Sequence, residues 1–316
     1  MAIALIFPGQ GSQAVGMGKA LAESFAPARA VFAEVDEALG ESLSKVIFEG
    51  PSETLTLTEN AQPALMAVSL AVMRTLEAEA GLDVRRDVKF VAGHSLGEYS
   101  ALAAAGALSI ADTTRCLRIR GKAMQRAVPV GTGAMAALLG LEFDDAAAVA
   151  AEAAQGEVCQ AANDNGAGQV VVSGHKDAVA RAVEIAKARG KRAMLLPVSA
   201  PFHCALMQPA ADAMAEALSQ VVVKAPVVPV VANVLAQPIS DPRVIVESLV
   251  AQVTGTVRWR ESVAFMAGAG VTSFYEIGSG KVLSGLVKRI ADGATGIPVG
   301  TPDDIAAFKA TRAAIN

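Results

Sequence analysis

The stretch Gly93-His94-Ser95-Leu96-Gly97 has the residue types and spacing of a serine nucleophile on a tight turn. It fits the pattern G-x-S-x-G and stands between a β-rich run and an Ala- and Leu-rich helical pattern, the setting that a nucleophile elbow requires. The glycines permit the sharp turn, and the turn lifts the serine hydroxyl off the sheet. The alternative is a glycine-rich loop with a helix-capping serine. In the elbow setting, Ser95 predicts chemistry through an acyl-enzyme.

A serine nucleophile needs a base, and the chain has three histidines. His94 adjoins Ser95, where neighbouring side chains diverge, so we expect it to make a structural hydrogen bond. His175 lies between a strand and a helix, where capping or exposure is expected. His203, at a strand end before a new helix, is the best base. Between Ser95 and His203 the acidic residues lie in helical patterns or in the small domain, and none stands alone at a strand end of the large sheet, so the sequence favours a Ser-His dyad oriented by a backbone or amide oxygen.

The loop FPGQGSQ, residues 7–13, follows the first apolar run and carries two glycines. The oxyanion of an acyl-transfer intermediate needs two donors, and one is the backbone N–H of the residue after the nucleophile, Leu96. Because glycines let the chain approach closely, the loop can turn a second N–H toward Ser95. Gln10 is the predicted second donor.

Length and composition limit the classes of protein that this chain can be. With 316 residues, 53% hydrophobic and 18% charged, it suits a main domain that carries a smaller one. The net charge of −4 argues against nucleic acid as a partner. The most apolar candidate for a membrane span, residues 219–236, is broken by Lys224, Pro226 and Pro229.

The cysteines and the N-terminal residues indicate the cellular compartment to expect. Cys116, Cys159 and Cys204 are odd in number and lack metal-ligand spacing, so we expect free core thiols. No basic segment precedes the first apolar run, so we expect no signal peptide and a cytoplasmic protein. No metal or other cofactor is predicted.

The order of elements predicts an α/β fold with two domains. Residues 134–198 alternate as β-α-β-β-α-β, the ferredoxin-like pattern. The flanking parts alternate apolar strands, at 2–7, 88–92, 227–232 and 272–277, with amphipathic helices, which indicates a mainly parallel sheet. We therefore expect a hydrolase-like large domain, residues 1–127 and 196–316, with an inserted ferredoxin-like domain at 128–195.

Several motifs together resemble one family. FPGQGSQ, GHSLGE (93–98), RGKAMQ (120–125), GQVVVSG (168–174) and PFHC (201–204) occur in the order seen in malonyl-CoA:acyl carrier protein transacylases, and the resemblance spans most of the chain. It implies the same fold as the element order, with malonyl-CoA and an acidic, phosphopantetheinylated acyl carrier protein as partners. The pathway implied is fatty-acid synthesis.

The resemblance also implies roles for individual residues. Ser95 is then acylated by malonyl-CoA, His203 is the base, and Gln10 with Leu96 forms the oxyanion hole. The main-chain carbonyl of Gln252 orients His203. Arg120 binds the malonyl carboxylate, for which a planar guanidinium is suited in a way that lysine is not.

Phe202 departs from many bacterial members, which have a small polar residue there. Malonyl-selective polyketide domains have phenylalanine before the histidine, so we expect Phe202 to narrow the pocket against branched acyl groups. The alternatives are polyketide supply and a serine hydrolase, since water and a carrier thiol use the same acyl-enzyme. Residues 187–192 and 288–290 are basic candidates for carrier contact, and a helix starting near 280 is a candidate site for a phosphate.

Overall fold

The computed structural model of the chain describes residues 2–315. Within them the strands are β1 Ala2–Phe7, β2 Val88–Gly93, β3 Gly133–Leu139, β4 Cys159–Asp164, β5 Gln169–His175, β6 Arg192–Leu195, β7 Val230–Val231, β8 Pro238–Ile239, β9 Val271–Ile277 and β10 Thr295–Val299. They form two separate sheets, one of six strands and one of four.

The helices fall into three groups along the chain. The first group is α1 Lys19–Ser24, α2 Ala26–Leu39, α3 Leu43–Glu49, α4 Ser52–Thr56, α5 Thr58–Ala80, α6 Val84–Asp87, α7 Gly97–Ala104 and α8 Ile110–Arg126. The second, beside the four-stranded sheet, is α9 Phe143–Ala154 and α10 Lys176–Ala188. The third is α11 Gln208–Ser219, α12 Pro242–Thr254, α13 Trp259–Gly268, α14 Val282–Ile290 and α15 Pro302–Ile315, with a 3-10 helix at Ala205–Met207.

The six-stranded sheet has the order β10-β9-β1-β2-β7-β8, and only β8 is antiparallel to its neighbour. The central strand β1 explains the layered architecture. Its residues Ala4, Leu5, Ile6 and Phe7 are all fully buried, and alternate side chains enter two different hydrophobic cores, one on each face. A strand apolar on both faces needs helices on both sides, which is the expected mainly parallel α/β arrangement.

The four-stranded sheet is antiparallel with the order β4-β5-β3-β6. With β3 as the first strand, this is the order 2-3-1-4, so the ferredoxin-like prediction is confirmed. Successive side chains of these strands again point to opposite faces of the sheet. Ala136, Leu138 and Val172 pack in the core with α9 and α10, whereas Met135 and Val171 join the main core. The domain boundaries at 127/128 and 195/196 stay predictions.

Two strand predictions differ in extent from the structure, and the strands β8 and β10 were not predicted. The strand expected at 227–232 is regular only at β7, where Pro226 and Pro229 precede it, and the strand expected from residue 192 ends at Leu195. The sequence analysis missed β10, whose Gly296 and Pro298 are unusual in strands. It pairs only with β9, and an edge strand tolerates a proline.

Two further observations concern composition. The three cysteines are buried and free, as expected. None of the helices within residues 2–315 has the length and apolar character needed to cross a bilayer.

Candidate active site

Ser95 lies on a sharp turn between β2 and α7, with a φ of 53° in the left-handed region. Both glycines of the motif are required, because a side chain at either position would clash with the backbone. A Cβ on Gly93 would lie 1.9 Å from the carbonyl oxygen of Gly97, and one on Gly97 would lie 2.3 Å from that of Phe7. The turn is therefore a nucleophile elbow packed directly on the end of β1, as the motif predicts.

The elbow brings Ser95 to His203 from a distant part of the chain. The Oγ atom of Ser95 lies 2.8 Å from Nε2 of His203, and Nδ1 of His203 lies 2.8 Å from the main-chain oxygen of Gln252. Because a carbonyl only accepts, Nδ1 carries the proton, and Nε2 is left to accept the hydrogen of the serine hydroxyl. This arrangement would let His203 act as a base toward Ser95, with a backbone oxygen in the place of a carboxylate.

The surroundings of His203 keep its imidazole neutral, in this tautomer. Its side chain is buried, and burial together with the positive charge of Arg120 lowers the pKa of His203 to about 3. Its backbone φ of 59° lies in the left-handed region, an uncommon conformation for a residue with a side chain. A neutral imidazole is the form that can take a proton.

Arg120 lies beside the same hydroxyl, on α8. Its Nη2 donates to Ser95 Oγ at 3.1 Å and to Oε1 of Gln252 at 2.8 Å, and its Nη1 donates to Gln62 at 2.8 Å. The side chain is 1% exposed and makes no salt bridge within residues 2–315, and its Nε has no hydrogen-bond partner there. A buried guanidinium that makes no salt bridge, next to the Ser95 hydroxyl, is suited to bind an anionic acyl group.

Comparisons with known proteins agree with this geometry. The "Acyl transferase domain" family matches residues 4–300 of the chain. The protein belongs to this acyltransferase family. It is 47% identical over 305 residues to the malonyl CoA-acyl carrier protein transacylase of Escherichia coli K12, an alignment that covers 96% of this chain and 97% of the relative.

Solved structures give the same result for the fold of this acyltransferase. The acyl-carrier-protein-S-malonyltransferase from Bartonella henselae superposes with a TM-score of 0.96 at 58% identity, covering 99% of both chains. A malonyl-transacylase in complex with a type II PKS acyl-carrier protein superposes with a TM-score of 0.94 at 41% identity, covering 98% of this chain and 100% of that one.

The loop after β1 packs on the elbow, as predicted. A Cβ on Gly9 would lie 2.9 Å from the main-chain oxygen of His94, so this glycine permits the close approach. Gln10 and Leu96 both line the cavity that contains Ser95. Neither of their backbone N–H groups has a hydrogen-bond partner within residues 2–315. Two free donors at the nucleophile are what an oxyanion hole needs.

The other two histidines are structural in their contacts. His94 is bonded through Nε2 to Oδ1 of Asn165 at 2.9 Å, as a structural hydrogen-bonder should be. His175 occupies the N-cap position of α10, but its side chain makes no cap hydrogen bond. Its Nδ1 instead accepts from the backbone N–H of Val158 at 2.9 Å, which links the ends of β4 and β5.

The cavity over Ser95 has a volume of about 360 Å³ and lies between the two sheets. Phe202 lines it beside His203, as expected, and is 8% exposed. The face of the small sheet that points away from α9 and α10 forms its opposite wall. That wall consists of Met135, Ala137, Gln169 and Val171, with Asn163 and Asn165 at its edge.

The sequence also predicted a phosphate site at a helix start. The phosphate site expected near residue 280 is already occupied by protein: Glu276 accepts from the backbone N–H groups of Leu283 and Ser284, at 3.1 and 2.7 Å, in the first turn of α14. The prediction of a phosphate site is wrong for this helix end, because the buried carboxylate of Glu276 already accepts two of its backbone N–H groups. Among the described residues no cluster of three His, Cys, Asp or Glu side chains could hold a metal.

The sequence analysis missed a buried polar layer beneath the elbow. Asn233 accepts the Ser95 N–H at 2.7 Å and donates to the Gly93 carbonyl at 2.7 Å, which fixes the turn from below. Glu98 accepts from the Asn233 N–H at 3.0 Å and from the side chain of Gln252 at 2.8 Å. One signal was available: Glu98 is a lone charge in the apolar stretch that follows Ser95.

Proposed function

We propose that this acyltransferase moves a malonyl group from coenzyme A to the phosphopantetheine thiol of an acyl carrier protein, through a malonyl ester on Ser95. The observation that carries the proposal is the buried Arg120 guanidinium, 3.1 Å from Ser95 Oγ and without an anionic partner within residues 2–315. The names of the relatives support the same donor and acceptor.

The first half-reaction forms the acyl-enzyme. Ser95 Oγ attacks the thioester carbonyl of malonyl-CoA while His203 Nε2 takes the hydroxyl proton. The oxyanion that develops accepts from the N–H groups of Gln10 and Leu96, and Gln252 keeps the imidazolium in place through its carbonyl. The intermediate then expels the coenzyme A thiolate, which takes the proton from His203.

The second half-reaction repeats these steps in reverse with another thiol. His203 takes the proton of the phosphopantetheine thiol, the sulfur attacks the malonyl ester, and Ser95 leaves with the proton that His203 returns. Because a thiol replaces a thiol, the two halves need one base and one oxyanion hole. All protons and electron pairs pass between substrates and side chains, so we propose no metal or other cofactor.

Arg120 selects the malonyl group in this scheme. A guanidinium and a carboxylate form two parallel charged hydrogen bonds, and such bonds contribute about 1.5–3 kcal/mol each. Because Arg120 is buried, an acyl group that lacks the carboxylate leaves the guanidinium without a salt-bridge partner. Phe202, at the cavity wall, is proposed to exclude branched acyl groups.

Two alternatives remain in the same chemistry. A serine hydrolase uses the same acyl-enzyme with water in the second half, and a polyketide pathway uses the same transfer with another carrier. The complex of a relative with a type II PKS carrier keeps the second alternative open. Fatty-acid synthesis is the proposed pathway, and the cytoplasmic location stays a prediction.

Intact-protein mass after brief mixing with malonyl-CoA tests the first half-reaction. We expect a single malonyl adduct on the wild type and none on Ser95→Ala. Ser100→Ala, which alters a buried serine of α7, is the matched control and keeps the adduct. An adduct that persists on Ser95→Ala would contradict the proposed nucleophile.

A further inference from the structure

Gln252 joins the two buried charges beneath Ser95 through its side-chain amide. The Nε2 atom donates to Oε2 of Glu98 at 2.8 Å, and Oε1 accepts from Nη2 of Arg120 at 2.8 Å. All three side chains are 1% exposed or less. The amide thus stands between a carboxylate on α7 and the guanidinium that is proposed to bind malonyl.

We propose that Glu98 is a positioning residue, whose carboxylate fixes the direction of the Gln252 amide and thereby holds Arg120 at Ser95 for the malonyl carboxylate. This inference rests on the proposed function, since it names the part of the buried layer that sets the preference for an anionic acyl group.

The direction of the amide follows from the hydrogen-bonding capacity of its neighbours. A carboxylate only accepts and a guanidinium only donates. If the Gln252 amide were flipped, its oxygen would face the carboxylate of Glu98 and its NH₂ group would face the donors of Arg120. Both contacts would be repulsive in a buried site, where unpaired polar groups are costly. Glu98 therefore favours the direction in which the amide oxygen faces Arg120, and its charge adds to the same preference of the Ser95 carbonyl, which also only accepts.

Glu98 is itself held in a fixed place. The same Oε2 atom accepts from the backbone N–H of Asn233 at 3.0 Å, and the Gln252 Nε2 atom also donates to the carbonyl of Ser95 at 3.0 Å. Glu98 and Gln252 do not line the cavity, so the chain of contacts from Glu98 reaches the place where substrate would bind only at Arg120. Its effect on the reaction is thus indirect, through the position of Arg120.

The charge of Glu98 is open to titration near neutral pH. Burial raises the pKa of Glu98 to about 7, while the hydrogen bonds from Asn233 and Gln252 and the charge of Arg120 oppose the rise. The titratable groups that interact with it are Arg120, on α8, and Tyr99, on its own helix. A protonated Glu98 becomes a donor as well as an acceptor and no longer imposes one direction on the amide.

Two substitutions of buried glutamates test the proposal at pH 8. In Glu98→Gln the side chain can present either an oxygen or an NH₂ group to Gln252. Glu276→Gln is the matched control, because Glu276 is equally buried and accepts two backbone N–H groups far from the cavity lining. For each variant, acylation of Ser95 is measured with malonyl-CoA and with p-nitrophenyl acetate, a neutral ester.

We expect Glu98→Gln to lower the malonyl-CoA rate constant by about 10- to 100-fold, the effect of losing a charged hydrogen bond. The rate with the neutral ester should stay close to the wild-type value, and Glu276→Gln should change neither rate. An equal loss with both acyl donors, or no loss with malonyl-CoA, would overturn the positioning role.

The wild type provides a second test that does not depend on a variant that folds. The ratio of the malonyl-CoA rate to the neutral-ester rate should fall as the pH is lowered through about 7, because Glu98 takes a proton there. A ratio that stays constant from pH 8.5 to about 5.5 would overturn the proposal. A wild type that malonyl-CoA does not acylate at pH 8 would instead refute the proposed function itself.

Discussion

The side of the cavity built on the parallel sheet is polar and cross-linked, whereas the side built on the antiparallel sheet is largely apolar. On the first side Ser95, His203 and Arg120 all bond to one another or to Gln252. On the second, Met135 and Val171 face the cavity without such bonds. In the proposed mechanism the first side carries out the reaction and the second determines which acyl group fits above it.

The largest effect is expected from a change on the polar side that keeps its charge. Arg120→Lys should lower the rate of acylation by malonyl-CoA by about 100-fold, because an ammonium cannot make two parallel bonds to a carboxylate. Acylation by p-nitrophenyl acetate should change far less. Arg118→Lys is the control on the same helix, since Arg118 bonds to Asn60 and Glu41 outside the cavity. Equal losses of the malonyl-CoA rate in Arg120→Lys and Arg118→Lys would contradict the division of the cavity into two sides with different roles.

A smaller effect is expected from two apolar residues of the cavity wall, Val171 on the antiparallel sheet and Phe202 beside His203, and it concerns selection of the acyl group. Val171→Ala and Phe202→Ala should enlarge the cavity and raise the rate with methylmalonyl-CoA relative to malonyl-CoA by about tenfold, the value of one methyl group in a pocket. Mass spectrometry of the acyl-enzyme formed from an equal mixture gives the ratio.

Val172→Ala provides the matched control for that wall. Val172 is the next residue of β5 and points to the opposite face, into the core with α9 and α10. Its truncation should lower the melting temperature, because it leaves a cavity in that core, and should leave the acyl ratio unchanged. A changed ratio in this variant would mean that the two faces of the small sheet are not independent.

The smallest effect is expected from surface cations at the start of β6. Lys187 and Arg189 form salt bridges with Glu184 and Glu152, whereas Lys191 and Arg192 form none within residues 2–315. The two unpaired cations lie just before the segment 196–198, which lines the cavity. Reversing both to glutamate should raise the KM for an acidic carrier about threefold and leave malonyl-CoA acylation unchanged. Added salt should abolish the difference from wild type.

The two sides also differ in how far the sequence predicts them. Ser95 and Leu96 are predictable because a nucleophile elbow needs glycines at fixed local positions, and the contacts of Gly93 and Gly97 confirm that need. The ferredoxin-like order is predictable because its helices and strands alternate with clear periods. Short-range geometry thus suffices for the elbow and for the architecture of the small sheet.

Long-range contacts set the limit of that prediction. Arg120 and the Gln252 carbonyl were assigned only through resemblance, because nothing local distinguishes Arg120 from the other arginines of α8. Glu98 and Asn233 were missed, since their partners are more than a hundred residues away along the chain. A different reason hides β10: its partner β9 is close along the chain, but Gly296 and Pro298 are unusual in strands.

The fate of the malonyl-enzyme tests the central claim most directly. After malonyl-CoA is removed, the adduct on Ser95 is followed by mass, with and without phosphopantetheinylated acyl carrier protein. We expect the carrier to discharge the adduct much faster than water does and to gain the malonyl mass itself. Loss of the adduct at the same rate with and without carrier would contradict it and identify a hydrolase.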